Sequence, residues 1–112
     1  MKHETVKVQC STPTPGKKPT RILKWKYESI SAAIIKILSA RANSGVRFSE
    51  LSGLVENLIG DEVMKELGSA SWYTTTVKLD LEAKGIVQRV PGSSPQVIKL
   101  SDKASRGPQR AI

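Results

Sequence analysis

SASWYTTTVKLDLEAKGIVQRVPGSSPQVIKL, residues 69–100, is the stretch whose reading decides the fold. Ala70, Thr74, Val77 and Leu81 recur at helical spacing along one face, and Ser69 or Ser71 supplies an N-cap. Gly85 stands where the residue after a helix takes a positive φ, which costs glycine no Cβ clash. Ile86–Val90 and Gln96–Leu100 are short runs rich in β-branched residues, and the PGSS-P segment at 91–95 between them is turn chemistry. The stretch therefore predicts a helix that runs directly into a β-hairpin.

Working back toward the N-terminus, Val6, Val8 and Cys10 alternate as a strand does, and Leu23 and Trp25 share a face of a second strand. The loop between them holds Pro13, Pro15, Gly16 and Pro19 with the pair Lys17-Lys18. Together these predict an N-terminal hairpin whose apolar faces need the rest of the domain, or a second subunit, as cover. Trp25 reads as a packing anchor. The Lys17-Lys18 tip reads either as a phosphate contact or as a solvated loop. A first long helix is expected from Tyr27 to about Ala42, opened by Ser29 or Ser31, with Ile30, Ile34, Ile37, Leu38 and Arg41 at helical spacing and Ala33 and Ile35 widening the apolar stripe. Asn43-Ser44-Gly45 ends it, and Val46-Arg47-Phe48 is short enough for the first strand of a small three-stranded sheet. Ser49 caps a second helix with Glu50 in its first turn and Leu51, Leu54, Val55 and Leu58 on one face. Gly60 stops it, and Asp61 caps a further short turn, Glu62–Leu67.

The chain has 112 residues, 38% hydrophobic and 25% charged, which suits one globular domain. No apolar run approaches a membrane span, and MKHETVKVQC has no apolar block of the kind a secretory signal needs. A lone cysteine, Cys10, has no disulfide partner, and a lone His3 has no companion ligands for a metal. Cys10 is expected as a small apolar residue on its strand, because a nucleophile needs a base and the one histidine lies near the terminus. These features predict a cytoplasmic protein. The net charge is +8, unevenly spread. Residues 1–26 carry seven basic and one acidic residue, net +6; residues 27–83 carry five and eight, net −3; residues 84–112 carry six and one, net +5. Positive ends around an acidic middle suit a polyanion such as nucleic acid, or serve simply as solubilising tails.

The order helix, short strand, helix, helix, strand, turn, strand resembles the winged-helix DNA-binding superfamily. The residues that carry the resemblance are VRFSEL at 46–51, LDLEAKGIV at 79–87 and VIKLSDK at 97–103. The last of these also looks like the Leu-Ser/Thr-Asp/Glu-Lys turn that ends the second wing strand in multiple-antibiotic-resistance-type regulators. With its hairpin the chain is similar to small bacterial winged-helix proteins of unknown function. The resemblance covers about residues 27–104. It implies an α+β fold, a winged helix with an N-terminal β-hairpin extension and a three-stranded wing sheet. The corresponding organisation is a basic N-terminal hairpin arm over 1–26, the winged-helix domain over 27–104, in which Ser101–Ala104 form a helical turn, and a disordered basic tail over 105–112. It further implies double-stranded DNA as partner, with the third helix in the major groove and the wing on phosphates, in a protein that acts as a homodimer.

Two features depart from that pattern. About ten residues, 59–68, separate the second and third helices, where a helix-turn-helix uses three or four. The outward face of the third helix carries Trp72, Thr75, Thr76, Leu79 and Ala83, where a base-reading face ordinarily offers Arg, Lys, Asn or Gln. Threonine hydroxyls bind phosphate, threonine methyls touch the thymine methyl, and Lys78 on the flank reaches toward phosphate. The candidate nucleic-acid residues are thus Trp72, Thr75, Thr76, Lys78, Arg89, Ser93, Ser94 and Lys99, the last four on the wing, where cations release counterions from the backbone. Trp72 and Leu79 equally make an apolar stripe for a protein partner or a dimer, or ordinary core beneath the hairpin. Exposed hairpin cations also serve to discourage edge pairing. The carboxylates Glu50, Glu56, Asp61, Glu62, Glu66, Asp80 and Glu82 fall mostly at polar helix positions, where solvation accounts for them. No metal spacing, nucleophile elbow or phosphate-cradling glycine loop appears, so neither enzymatic activity, a cofactor nor a small-molecule ligand is expected.

Overall fold

The computed structural model describes residues 6–13, 16, 18–42 and 44–101. Of the helical turn expected at Ser101–Ala104 only Ser101 is described, and residues 102–104, the basic tail over 105–112, His3 and Lys17 lie outside the described residues. The fold is α+β. Strands β1 (Lys7–Cys10) and β2 (Thr20–Leu23) pair antiparallel, with Lys7 opposite Leu23 and Cys10 opposite Thr20. Helix α1 (Lys24–Ala40) follows, then β3 (Val46–Arg47), α2 (Phe48–Ile59), α3 (Asp61–Leu67), α4 (Ala70–Ala83), β4 (Val87–Arg89) and β5 (Val97–Leu100). The second sheet is antiparallel in the order β3-β5-β4, with Ile98 opposite both Val46 and Arg89.

Two helices begin earlier than the residue pattern suggests, for one physical reason. The first amides of a helix have no intrahelical acceptor and must find one elsewhere. Lys24 donates its N–H to the Val6 carbonyl at 2.7 Å, and Phe48 donates to the Gln96 carbonyl at 2.9 Å. A neighbouring strand segment thus takes the orphan donor in each case, and the chain passes from strand to helix without a loop. Trp25, expected on a strand, lies in the first turn of α1, and Phe48, expected to end a strand, opens α2. Neither helix has a side-chain N-cap. Helix α4 has one: Ser69 Oγ accepts from the Trp72 amide at 3.1 Å.

The far end of α4 closes with two bonds, Gly85 N–H to the Glu82 carbonyl and Ile86 N–H to the Leu81 carbonyl. This Schellman arrangement requires the positive φ of +78° that Gly85 adopts. Gly45 is constrained differently, since at φ +72° a Cβ there would sit 2.8 Å from the Ile98 carbonyl oxygen and from Val97 Cγ1. That glycine lets β3 approach β5.

The core joins every layer. Ile30, Ile34 and Leu38 of α1 meet Leu51 and Val55 of α2, Leu67 of α3, and Val77 and Leu81 of α4. Val46, Val87, Ile98 and Leu100 close it from the sheet, and Cys10 and Ile22 of the β1–β2 hairpin belong to the same cluster. Helix α2 packs directly on α4 although α3 intervenes in sequence. Leu58, placed by its spacing on the buried face of α2, is exposed. Among the described residues no helix is long and apolar enough to cross a membrane.

Candidate nucleic-acid interface

Helix α4 packs against α1, α2, β1 and β4, so its surface is divided among neighbours. Its N-terminal outward side is open: Trp72 is 47% exposed and stands edge-on to Tyr73, with ring centroids 4.8 Å apart and planes at 83°. Lys26 of α1 lies 5.0 Å from the Tyr73 ring centroid, its ammonium 3.3 Å from the Tyr73 hydroxyl. Further along the helix the hairpin approaches. Thr76 and Leu79 are half-buried, and with Cys10, Ser11, Lys18 and Thr20 they line a cleft of about 240 Å³. Trp72 and Leu79 therefore do not form one continuous exposed stripe. On the other flank Thr75 is half-buried against α2.

Lys78 sits elsewhere than its position suggests. It is 2% exposed, with its ammonium 3.4 Å from Glu82 Oε1, 3.4 Å from Gln96 Oε1 and 4.4 Å from the Phe48 ring centroid. Burial pulls its pKa below the ordinary lysine value, while Glu82 opposes that shift. The helical wheel places Lys78 on a flank, and the β4–β5 layer closes over that flank.

Among the candidates beyond α4, Arg89 is half exposed and already engaged. Its Nε donates to Glu82 Oε2 at 2.8 Å, and its side chain is 53% exposed. Glu82, only 6% exposed, thus serves both Lys78 and Arg89. Ser93 holds the turn, donating to the Val90 carbonyl at 2.8 Å and accepting from the Val97 amide at 3.0 Å. Ser94 is exposed, and Lys99 is half-buried on the central strand β5. The eight residues thus do not share one surface. Trp72, Thr75 and Thr76 lie on α4, Arg89, Ser94 and Lys99 on or beside the β4–β5 hairpin, Ser93 inside the turn and Lys78 inside the protein.

Two residues of α4 that the sequence reading passed over stand out. Asp80, expected to be solvated, is fully buried. Its Oδ1 accepts from the Ser11 amide at 2.9 Å, and its Oδ2 accepts from the Tyr27 hydroxyl at 2.5 Å and pairs with the Lys84 ammonium at 2.8 Å. Burial by itself raises a carboxyl pKa, but the bonds from Lys84, Tyr27 and Ser11 outweigh it and hold Asp80 below the usual carboxylate range. Lys84 is correspondingly raised, chiefly by its bond to Asp80. Burial, then the Asp80 charge, pushes the neighbouring Cys10 thiol up to about 11, so this cysteine is protonated at neutral pH. The Asp-Lys spacing at i, i+4 was visible in the sequence, but the burial was not.

The second residue is Thr74. It is 1% exposed, and its Oγ1 has no hydrogen-bond partner, alone in this among the buried side-chain N and O atoms of the described residues. The sequence signal was a polar residue on the Leu81 face of the helix.

Among the described residues no three potential metal ligands gather. No curated protein and no solved structure matches this chain. One protein-family model does, over residues 7–98, from the first residue of β1 into β5. The chain belongs to the family described as "Family of unknown function (DUF6958)".

Proposed function

We propose that this protein is a small cytoplasmic winged-helix protein that binds double-stranded DNA without catalysing a reaction, with α4 directed to the major groove. The observation that carries the reading is the setting of α4. Its N-terminal half offers Ser71, Trp72 and Thr75 to solvent or near it, while cations of other elements flank the helix. Lys18 lines the cleft beside Thr76 and Leu79, and Arg89 is fixed to Glu82. N-terminal residues of a recognition helix are the ones that meet base edges. The direct packing of α2 on α4 supports the same reading, because α2 braces α4 despite the interposed α3. The net charge of +8 supplies the backbone attraction.

In this arrangement Trp72, Thr75 and Thr76 face the bases. Arg89, Lys99, Ser94 and Lys18 meet phosphates, while Lys78 and Ser93 act from within, one under the sheet and one in the turn. Two copies side by side would read a two-fold site. A second reading has one specific support: the exposed Trp72, edge-on to Tyr73, is the kind of aromatic anchor that centres a protein–protein contact.

Fluorescence anisotropy with random duplex DNA, from low to physiological salt, tests the proposal, with sedimentation reporting the oligomeric state. Tight binding at low salt with a steep salt slope is expected. Arg89→Ala should weaken all sequences alike and reduce the slope by about one unit. Absence of binding at low salt removes the DNA reading. A dimer that Trp72→Ala dissolves would then favour the second.

A further inference from the structure

We infer that one side of α4, from Trp72 into the cleft between the helix and the β1–β2 hairpin, binds a short single-stranded segment of nucleic acid with an unpaired base stacked on Trp72. Trp72, Thr76 and Leu79 stand at i, i+4 and i+7, so they follow one another along one side of the helix. Trp72 is exposed, while Thr76 and Leu79 are half-buried and line the cleft with the hairpin. An edge-to-face contact occupies at most one face of an indole, so the pairing with Tyr73 leaves Trp72 a ring face to offer. The cleft of about 240 Å³ is far larger than the ~15 Å³ that seats one water. Ser11, Thr12, Thr20 and Thr76 bring hydroxyl side chains to it, Lys18 brings an ammonium, and none of its described lining residues is acidic.

Charge and shape decide the class of ligand. Residues 18–26 carry Lys18, Arg21, Lys24 and Lys26 and no acidic residue. The Lys26 ammonium lies 5.0 Å from the centroid of the same Tyr73 ring that Trp72 meets edge-on. Both carboxylates of α4 are held in ion pairs, Asp80 with Lys84 and Glu82 with Lys78 and Arg89. The acidic residues of α3, Asp61, Glu62 and Glu66, do not line the cleft. An aromatic ring beside cations suits a polyanion that carries planar rings, the bases stacking and the phosphates meeting the charges. A duplex covers its base faces by stacking and offers only base edges in its grooves, whereas a single strand has faces to give. The hairpin also makes this side of α4 concave at Thr76 and Leu79, where a major groove takes the convex surface of a helix. Single-strand binding therefore does not rest on the duplex reading, and the two are told apart by the ligand used.

The test titrates the full chain into a labelled oligothymidylate, which forms no base pairs with itself, and into a random duplex of the same length, both followed by anisotropy from low salt upward. Saturable binding of the single strand is expected, with quenching of tryptophan fluorescence when the unlabelled strand is added. Trp72→Ala should weaken single-strand binding about tenfold and weaken any duplex binding less. Lys18→Ala should lower the single-strand salt slope by about 0.7 unit. Should Trp72→Ala not fold, Trp72→Phe carries the readout: the strand still binds, and the quenching is lost although Trp25 remains. Single-strand binding that depends on Trp72 supports the inference whether or not the duplex binds. Duplex binding without single-strand binding overturns it and leaves the duplex reading standing. Single-strand binding that Trp72→Ala leaves unchanged, or a loss of equal size on both ligands, overturns it too. A dimer that Trp72→Ala dissolves, with no single-strand binding at low salt, overturns it in favour of a protein contact at Trp72.

Discussion

On the hairpin side of α4, Asp80 accepts from an amide, a hydroxyl and an ammonium; on the α2 side of the same helix, Thr74 holds a hydroxyl that nothing meets. Both side chains are buried, and both sit where a helix-period pattern has no need of a polar residue. The donors around Asp80 come from β1's end, from α1 and from α4 itself, so the carboxylate ties the hairpin to two helices. Thr74 ties nothing to anything. A buried polar group with all its partners is a structural clamp, and its value lies in the elements it joins. A buried polar group without a partner is a cost that the folded chain bears for some other reason. The two flanks of one helix thus separate a buried polar group that holds the fold from one that does not.

The largest effect expected is at the clamp. Asp80→Ala removes the acceptor for Ser11, Tyr27 and Lys84 together and should destabilise the protein by about 3 kcal/mol in denaturant unfolding. The figure stays moderate because the Lys84 side chain is half exposed and recovers solvation. A loss well below 1 kcal/mol would place Asp80 and Thr74 in one class and break the contrast.

The same carboxylate sets an acid limb. Its folded pKa lies below the unfolded value of about 3.9, so between the two the unfolded chain binds more protons and stability rises with pH. The contribution is complete above the unfolded value and is lost as pH falls through the folded one. Asp80→Asn should flatten this limb in urea titrations between about pH 5 and pH 2.

At the open side the sign reverses. Thr74→Val should stabilise the unliganded protein by about 1 kcal/mol, because the valine loses no bond and removes an unmet hydroxyl. Destabilisation of that size would mean the hydroxyl has a partner after all. Lys78 sits between the extremes, buried but paired. Lys78→Met keeps the packed stem and leaves Glu82 its Arg89 partner, so stability should change by less than about 1 kcal/mol and the salt slope of DNA binding should not change. A reduced slope would return Lys78 to the phosphate-contacting set.

How much of this was legible varies by residue. The stripe Ile30, Ile34, Leu38 and the pairs Leu51/Val55 and Val77/Leu81 announce their own burial, because helical periodicity is a local property. The Ser69 cap and the Gly85 stop are likewise local chemistry. The early starts of α1 and α2 were hidden, since the acceptors for their first amides are the Val6 and Gln96 carbonyls, distant in sequence. Of the candidate contact residues, Trp72 and Ser94 are exposed and Arg89 half so, while Lys78 and Ser93 turn inward. A wheel gives the direction of Lys78 from its helix axis but not what stands in that direction.

Sequence by itself determined most of the helices and strands, the glycine stops, the Ser69 cap, most of the apolar faces and the basic ends, because each depends on neighbours a few residues away; the caps expected at Ser29 or Ser31, Ser49 and Asp61 are not formed, since α1, α2 and α3 carry no side-chain N-cap. Only the tertiary structure decided that Asp80 is a buried three-donor acceptor, that Glu82 is shared by Lys78 and Arg89, and that the Thr74 hydroxyl is buried without a hydrogen-bond partner. Those outcomes depend on which distant groups arrive beside a side chain and displace its water, and no periodicity in the chain encodes that arrival.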